Sequence, residues 1–265
     1  MIIKRSILVL FILSAVIPGL ALAGDTTDKI ETNIPFDPGG YLYLKNRNGD
    51  ISISSWNEDK VLITAYKTVH FSRDHEADKV LREIEIEIQQ KDDELEIITR
   101  GPEQDSGFFG KLLNGDRISY TVDYELRVPE RIDLNLQTAN GNIDIRAIEG
   151  RLKLETTNGS IEAEGVDGPV KCQTTNGSIR IDFNDVPDKD KMSFVTINGS
   201  IRLLLPDYFG GQIDAKTING NIESDFPIKV DRSWFQKHFH GQVNQGNCSL
   251  YCSTVNGNID LLYNH

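Results

Sequence analysis

The sequence predicts an all-β fold: a single-stranded β-solenoid of parallel stacked rungs of about 18–22 residues, with an N-terminal β-rich lead-in and one short helix. Three observations predict it. A six-residue pattern, Thr-x-Asn-Gly-x-Ile, recurs at Thr138–Ile143, Thr156–Ile161, Thr174–Ile179, Thr196–Ile201, Thr217–Ile222 and Thr254–Ile259, with a degenerate copy at Asn46–Ile51. Apolar and polar residues alternate on both sides of the copies, the period of a strand with one buried face. Successive repeat glycines lie 18, 18, 22, 21 and 37 residues apart. The shortest interval holds two strands and two bends, and the length varies at the bend opposite Asn-Gly, which a coil of stacked rungs tolerates.

The chain divides into three segments. Residues 1–23 read as a secretory signal peptide: Lys4 and Arg5, an apolar run over Ile7–Val16, then Ala21-Leu22-Ala23 as a small-x-small cleavage site. The run is short for a membrane span, and no later segment is apolar enough to be one. Export to the periplasm, cell surface or extracellular space is therefore expected. Loss of Lys4 and Arg5 takes the formal charge from −12 to −14. That acidity argues against nucleic acid or anionic lipid as a partner, since both are held by basic side chains.

Residues 24–130 form the β-rich lead-in. Asp37-Pro38-Gly39-Gly40 is a turn, and Tyr41–Ile53 reads as strand, Asn-Gly bend, strand, with Leu42, Leu44, Ile51 and Ile53 on one face. Val61–Val69 is a further strand. Near 72–82 the period changes to that of a helix, with Ala77, Val80, Leu81 and Ile84 on one side and Ser72 as N-cap. Glu83–Ile88 and Glu94–Thr99 alternate as partners across a Lys91-Asp92-Asp93 turn, and Glu83, Glu85 and Glu87 read as their solvated face. Gly101–Asp116 breaks all periodicity. Its Phe108, Phe109, Leu112 and Leu113 are either a flap over the core or a contact for a protein partner. Ile118–Val128 is a long strand that ends at Pro129.

Residues 131–265 are the repeats, continuous with what precedes them. Set in register on Thr, they form columns. Leu134, Leu152, Val170, Met192, Ile213 and Leu250 stand four before; Leu136, Leu154, Cys172, Phe194, Ala215 and Cys252 stand two before; Ile stands five after. Asn140-Gly141, Asn158-Gly159, Asn176-Gly177, Asn198-Gly199, Asn219-Gly220 and Asn256-Gly257 are the structural bends. Asn-Gly between alternating strands is also the strongest short hairpin signal, so a row of hairpins is the competing architecture. Recurrence of the flanking Thr and Ile favours parallel stacking at about 4.8 Å. In that arrangement Thr and Asn side chains bond in ladders and Gly supplies a bend with φ > 0.

Of the three cysteines, Cys172 and Cys252 fall in a core column. Cys248 and Cys252 would be about 13 Å apart on an extended strand, so they pair only if the chain folds back. At least one free thiol is expected.

Tyr120–Pro129 running into Asn135–Ile143, the close Gly241–Gly246, and Ser253–Ile259 together resemble the bacterial "putative adhesin" family of exported proteins. The resemblance covers roughly Ile34 to Leu261. It implies a β-solenoid domain and cell-surface or envelope attachment, and it brings no catalytic residues. The Pro227–His240 insertion departs from the pattern and is expected to lengthen a rung or to cap the coil.

Signals for chemistry are weak. The outward column six after Thr reads Asp144, Glu162, Arg180, Arg202, Glu223 and Asp260. Stacking places Asp144 and Glu162 about 5 Å apart, near the separation of a retaining glycosidase. The same column pairs Glu162 with Arg180 and Arg202 with Glu223, the ordinary behaviour of a sheet surface. His238-x-His240 shows no third ligand in the sequence, and nucleophile, phosphate-loop and calcium-repeat motifs are absent. The chain is thus expected to be a non-enzyme without catalytic residues, metal or cofactor, a binding or scaffold module for an envelope glycan or protein. The alternatives are a carbohydrate-active enzyme on the Asp144/Glu162 face and a structural periplasmic protein docking through the 101–116 loop.

Overall fold

The computed structural model describes residues 8–11, 25–70, 77–102, 119–227, 231–232 and 237–264. They form an all-β, solenoid-like molecule of two open, mixed sheets, with one short helix, Ala77–Glu83. Strands that precede an Asn-Gly bend lie in one sheet and strands that follow it lie in the other, so each repeat spans both. The two inner faces share one core, in which Phe183 of one sheet meets Phe194 of the other edge-on at 6.4 Å between ring centroids.

Repeat strands pair in parallel, like residue over like. Leu134, Leu152 and Val170 are in register, as are Leu136, Leu154, Cys172 and Phe194. On the opposite sheet Ile51, Ile143, Ile161, Ile179, Ile201 and Ile259 form one continuous column, every member buried. Parallel pairing throughout the copies decides against a row of hairpins.

The bends are held by three hydrogen-bond ladders. Seven asparagines chain together through their amides: Asn140 donates to Asn48, Asn158 to Asn140, Asn176 to Asn158, Asn198 to Asn176, Asn256 to Asn198 and Asn219 to Asn256, each at 2.7–2.8 Å. The threonines, expected to bond to one another, instead each donate to the glycine carbonyl of the neighbouring rung, as Thr174 does to Gly159 at 2.9 Å. Asn46, which replaces Thr in the degenerate copy, reaches the carbonyl of Val122 at 2.7 Å. The third ladder uses the residue after glycine: the side chain of Asn142 accepts from the Ser160 backbone at 2.9 Å, and that of Ser160 from Ser178 at 3.2 Å. Asp, Asn or Ser at that position is therefore a requirement, although the pattern shows it as a free x.

The glycines serve a different purpose from the one expected. Gly49 has φ 121° and Gly141 159°, but Gly159, Gly177, Gly199, Gly220 and Gly257 lie outside the range that L side chains avoid. What they supply is closeness. A Cβ on Gly177 would overlap the Gly159 carbonyl, and one on Gly199 would overlap that of Gly177.

Rung order departs from chain order. The last copy slots between the Asn198 and Asn219 rungs, because Cys248–Asn256 pairs with Lys191–Val195 on one side and Gly211–Asn219 on the other. Consequently Arg202 meets Asp260 at 3.0 Å, where the sequence pairs it with Glu223; the expected Arg180–Glu162 pair is present at 3.2 Å. Lys237–Val243, from the insertion, lies antiparallel on the far side of Gly211–Asn219, and Asp231–Arg232 pairs with it at the end of that sheet.

The lead-in joins the same two sheets. Tyr41–Lys45 stacks in parallel beside Asp133–Gln137, and Ile51–Trp56 beside Ile143–Arg146. Asp25–Pro35, which the sequence does not mark as a strand, pairs antiparallel with Lys60–His70. Its inward positions are Asp28, Ile30, Thr32 and Ile34, so polar residues mask the alternation. Asp28 is buried because Lys67, directly opposite, meets it at 3.2 Å, and Lys67 also donates to the Leu81 carbonyl of the helix at 3.3 Å. Val80, Leu81 and Ile84 are buried as the helical period requires, whereas Ser72 lies outside the described residues. Glu83 ends the helix and so leaves the expected row of strand glutamates; Glu87 pairs with Arg100 at 2.7 Å. Leu8–Phe11, inside the segment read as an export signal, pairs antiparallel with Glu85–Lys91.

Cys172, Cys248 and Cys252 are all free and buried, and Cys248 and Cys252 share one extended strand. Burial raises all three thiol pKa values; for Cys248, with Asp190 adding to the effect, it is pushed up to about 11. Since the thiolate is the reactive form, a disulfide-exchange reagent at pH 8 is expected to release no fast equivalent from the native protein and three on unfolding. One fast equivalent before unfolding would contradict the burial of Cys248.

Candidate functional site

With the inner faces packed, contact with other molecules falls to the outward residues. Alternation in Tyr41–Lys45 buries Leu42 and Leu44 and sends Tyr41 and Tyr43 outward on the same side. Parallel register then sets Tyr41 between Asp133 and Glu94, and Tyr43 between Asn135 and Glu96. Tyr41, Tyr43, Glu94, Glu96 and Asn135, together with Gln137 and, from the antiparallel strand Glu85–Lys91, Gln89 and Lys91, line a shallow groove of about 500 Å³. Asn135 Nδ2 donates to the Tyr41 hydroxyl at 3.0 Å, and the Tyr43 hydroxyl donates to Gln137 Oε1 at 3.3 Å. Both rings are thereby tied to the neighbouring rung while Tyr41 remains 38% exposed. Burial, and then the Glu96 carboxylate, raise the Tyr43 pKa. Aromatic faces tethered at their hydroxyls, beside amides and carboxylates, suit a polyhydroxylated ligand that offers apolar C–H faces and many hydroxyls.

The opposite sheet carries a second groove, of about 730 Å³, lined among others by Lys29, Glu31, Tyr66, Arg127 and Asp144. Asp144 and Glu162 are register neighbours, as the stacking of the sequence predicts. Burial raises the Asp144 pKa above the usual carboxylate value, with Glu162 and Asp50 adding to it, while Glu162 is ion-paired to Arg180. The two carboxyl groups are neighbours on an open sheet face, in unequal surroundings.

The bend residues Asn140, Asn158, Asn176, Asn198, Asn219 and Asn256, with their glycines, form one edge of the stack, where the asparagine amides bond to one another. Phe108, Phe109, Leu112 and Leu113 lie outside the described residues. The tyrosine groove had no motif in the sequence. Its available signal was the aromatic pair at i and i+2 on the polar side of a strand, which becomes a site only once Asn135 and Gln137 are known to be adjacent. Among the described residues no helix is long and apolar enough to cross a membrane.

The family model described as Toastrack DUF4097 matches residues 11–262. No curated protein matches the chain. Among solved structures, the chain is similar to a "putative cell adhesion protein" from Clostridium sporogenes, at 16% identity and TM-score 0.39, over 89% of this chain and 100% of that one. It is also similar to a "putative adhesin" from Bacteroides fragilis, at 10% identity and TM-score 0.43, over 88% and 96%. A third, a "putative lipid binding protein" from Parabacteroides distasonis, has 10% identity and TM-score 0.30, over 89% and 95%.

Proposed function

The chain belongs to the Toastrack DUF4097 family, and from that premise we propose that it is a non-catalytic, exported, single-stranded β-solenoid that serves as a binding module in the bacterial cell envelope. Its ligand is an envelope glycan, taken on the sheet face around Tyr41 and Tyr43. The observation that carries this reading is the pair of tethered, partly exposed tyrosine rings in a groove edged by Asn135, Gln137 and Glu96. Stacking on such rings contributes apolar contact without demanding one sugar, and the amides and carboxylates fix orientation through hydroxyl hydrogen bonds. Export after Ala23 is part of the proposal. It would remove Leu8–Phe11 and leave the Glu85–Lys91 edge, one wall of the groove, open to solvent.

Co-sedimentation of the exported protein with peptidoglycan, outer-layer glycan and membrane vesicles tests the reading. Saturable pelleting with one glycan fraction, reversed by its soluble sugars, is the expected result. Tyr41→Ala combined with Tyr43→Ala should weaken that pelleting at least about 10-fold, the loss of one to two aromatic contacts, and leave thermal unfolding near that of the parent. Pelleting with no glycan, or pelleting unchanged in the double variant, rejects the site.

One observation favours a second reading, a carbohydrate-active enzyme: the Asp144 carboxyl holds its proton more firmly than an ordinary aspartate beside Glu162. Release of reducing ends from the pelleted glycan, abolished in Asp144→Asn, would establish it over the first.

A further inference from the structure

The fold adds a third ligand to the two histidines of the insertion. Lys237–Val243 lies antiparallel on Gly211–Asn219 with His240 directly opposite Asp214, and His238, two residues earlier, diagonal to it on the same outward face. Asp214 Oδ1 stands 3.0 Å from His238 Nε2, and Oδ2 stands 3.8 Å from His240 Nδ1. One ligand atom from each residue lies within 4.8 Å of the other two. An ion with bonds of about 2.0–2.1 Å to nitrogen and oxygen in tetrahedral geometry needs ligand atoms about 3.4 Å apart. The two Asp–His distances bracket that value and the set as a whole stays within 4.8 Å, so side-chain rotation can close it on an ion.

We propose that Asp214, His238 and His240 bind a divalent first-row transition-metal ion, zinc fitting best. Two imidazoles and one carboxylate are a donor set for zinc, nickel or copper, and too rich in nitrogen for magnesium or calcium. Three protein ligands leave at least one position open, and the partial exposure of all three side chains, 37–60%, puts that position toward solvent.

Neighbouring groups support the geometry. Gln212, on the same face and two residues before Asp214, has its amide 3.3 Å from His240 Nε2. With His240 bound through Nδ1, its Nε2–H requires an acceptor, and the Gln212 amide turned over presents Oε1 there. Lys216, opposite His238, is the nearby positive charge that would oppose a cation. Its ammonium lies over the Tyr251 ring, 4.9 Å from the centroid. Structurally the ion joins the insertion strand to the last rung of the stack, where the only other strand paired with Lys237–Val243 among the described residues is the two-residue Asp231–Arg232.

The test uses untagged exported protein, so that no added histidines compete. Titration with Zn²⁺ by calorimetry is expected to show one site per chain, and Co²⁺ to give the visible d–d absorption of a low-coordinate nitrogen–oxygen site. A thousand-fold excess of Mg²⁺ or Ca²⁺ should displace neither. Saturating Zn²⁺ should raise the unfolding midpoint by about 5 °C, and a chelator should reverse the rise. His238→Ala and Asp214→Ala should each weaken Zn²⁺ binding by at least about 10-fold and remove the Co²⁺ band, while Gln212→Ala weakens it about 10-fold and keeps the band. His240→Ala, at the most exposed of the three ligands, serves should a change at His238 disturb the strand. Absence of a one-to-one site in the parent overturns the proposal. So does an affinity that survives in the variant lacking both histidines.

Discussion

Gly177→Ala is expected to destabilise the protein by about 3–4 kcal/mol, although in ordinary strand backbone alanine is more stable than glycine by ~0.5–1 kcal/mol. The cause is contact between rungs. The φ of Gly177 lies outside the range that L side chains avoid, so alanine meets no torsional objection at its own position. Its methyl would fall on the Gly159 carbonyl and close to the Ser160 nitrogen, both of them backbone that cannot rotate aside. The rungs must part, and parting them strains several bonds at once. Gly159 N donates to Asn176 O at 3.0 Å, Asn176 Nδ2 donates to Asn158 at 2.8 Å, and Thr174 Oγ1 donates to the same Gly159 carbonyl. A 3 kcal/mol loss lowers the unfolding midpoint by roughly 10 °C in a chain of this size. Gly39→Ala is the control. Gly39 has φ 91° and open space where a Cβ would stand, so only torsional strain of about 1–2 kcal/mol is expected. Equal losses from the two substitutions, read by urea denaturation, would show that φ and not rung spacing selects glycine in the repeat.

The same example shows what the sequence makes legible. Columns of Leu, Ile and Thr announce which residues lie over which, because parallel stacking repeats one environment at every rung and selects one residue type for it. The asparagine ladder follows from the same logic and is present over seven rungs. The reason for a recurring residue is less legible than its position. Recurrent glycine is compatible with a left-handed bend or with close backbone approach, and recurrent threonine with a threonine ladder or with a bond to a carbonyl; only coordinates separate these.

Rung order was hidden for a related reason. Every rung presents the same edge, so nothing in the Thr254–Ile259 copy says whether it follows the Thr217 copy or precedes it in space. The 37-residue interval was the one available hint. The insertion adds antiparallel on the outer side of Gly211–Asn219, and the chain then returns to fill the remaining gap between rungs. Asp214 was invisible as a partner of His238 and His240 for this reason. Its outward direction can be read from the alternation of Gln212–Lys216, but its neighbour comes from an insertion that carries no repeat. The tyrosine groove likewise depends on the lead-in strand and the first full repeat being adjacent, although about 90 residues separate Tyr43 from Asn135.

Lys67→Met should be as damaging as the glycine substitution, by about 3–5 kcal/mol, and for an electrostatic reason. Lys67 and Asp28 are 4% and 7% exposed, and Lys67 connects three elements: its own strand, Asp25–Pro35 through the carboxylate, and the helix through the Leu81 carbonyl. Methionine fills much the same volume, so the loss is not one of packing. It comes from leaving the Asp28 carboxylate in an apolar wall with neither water nor cation, and from removing the helix's tie to the sheet. Asp28→Leu made together with Lys67→Met removes the orphaned charge as well, and buried ion pairs replaced on both sides by apolar groups are often neutral in stability. The double variant should therefore recover most of the loss, giving a coupling of about 2–3 kcal/mol in a double-mutant cycle. A double variant no more stable than Lys67→Met alone would place the deficit in the lost Leu81 contact. Asp25–Pro35 would then be held by its backbone pairing with Lys60–His70 and by the burial of Ile30 and Ile34, with the ion pair a consequence of that docking and not its cause.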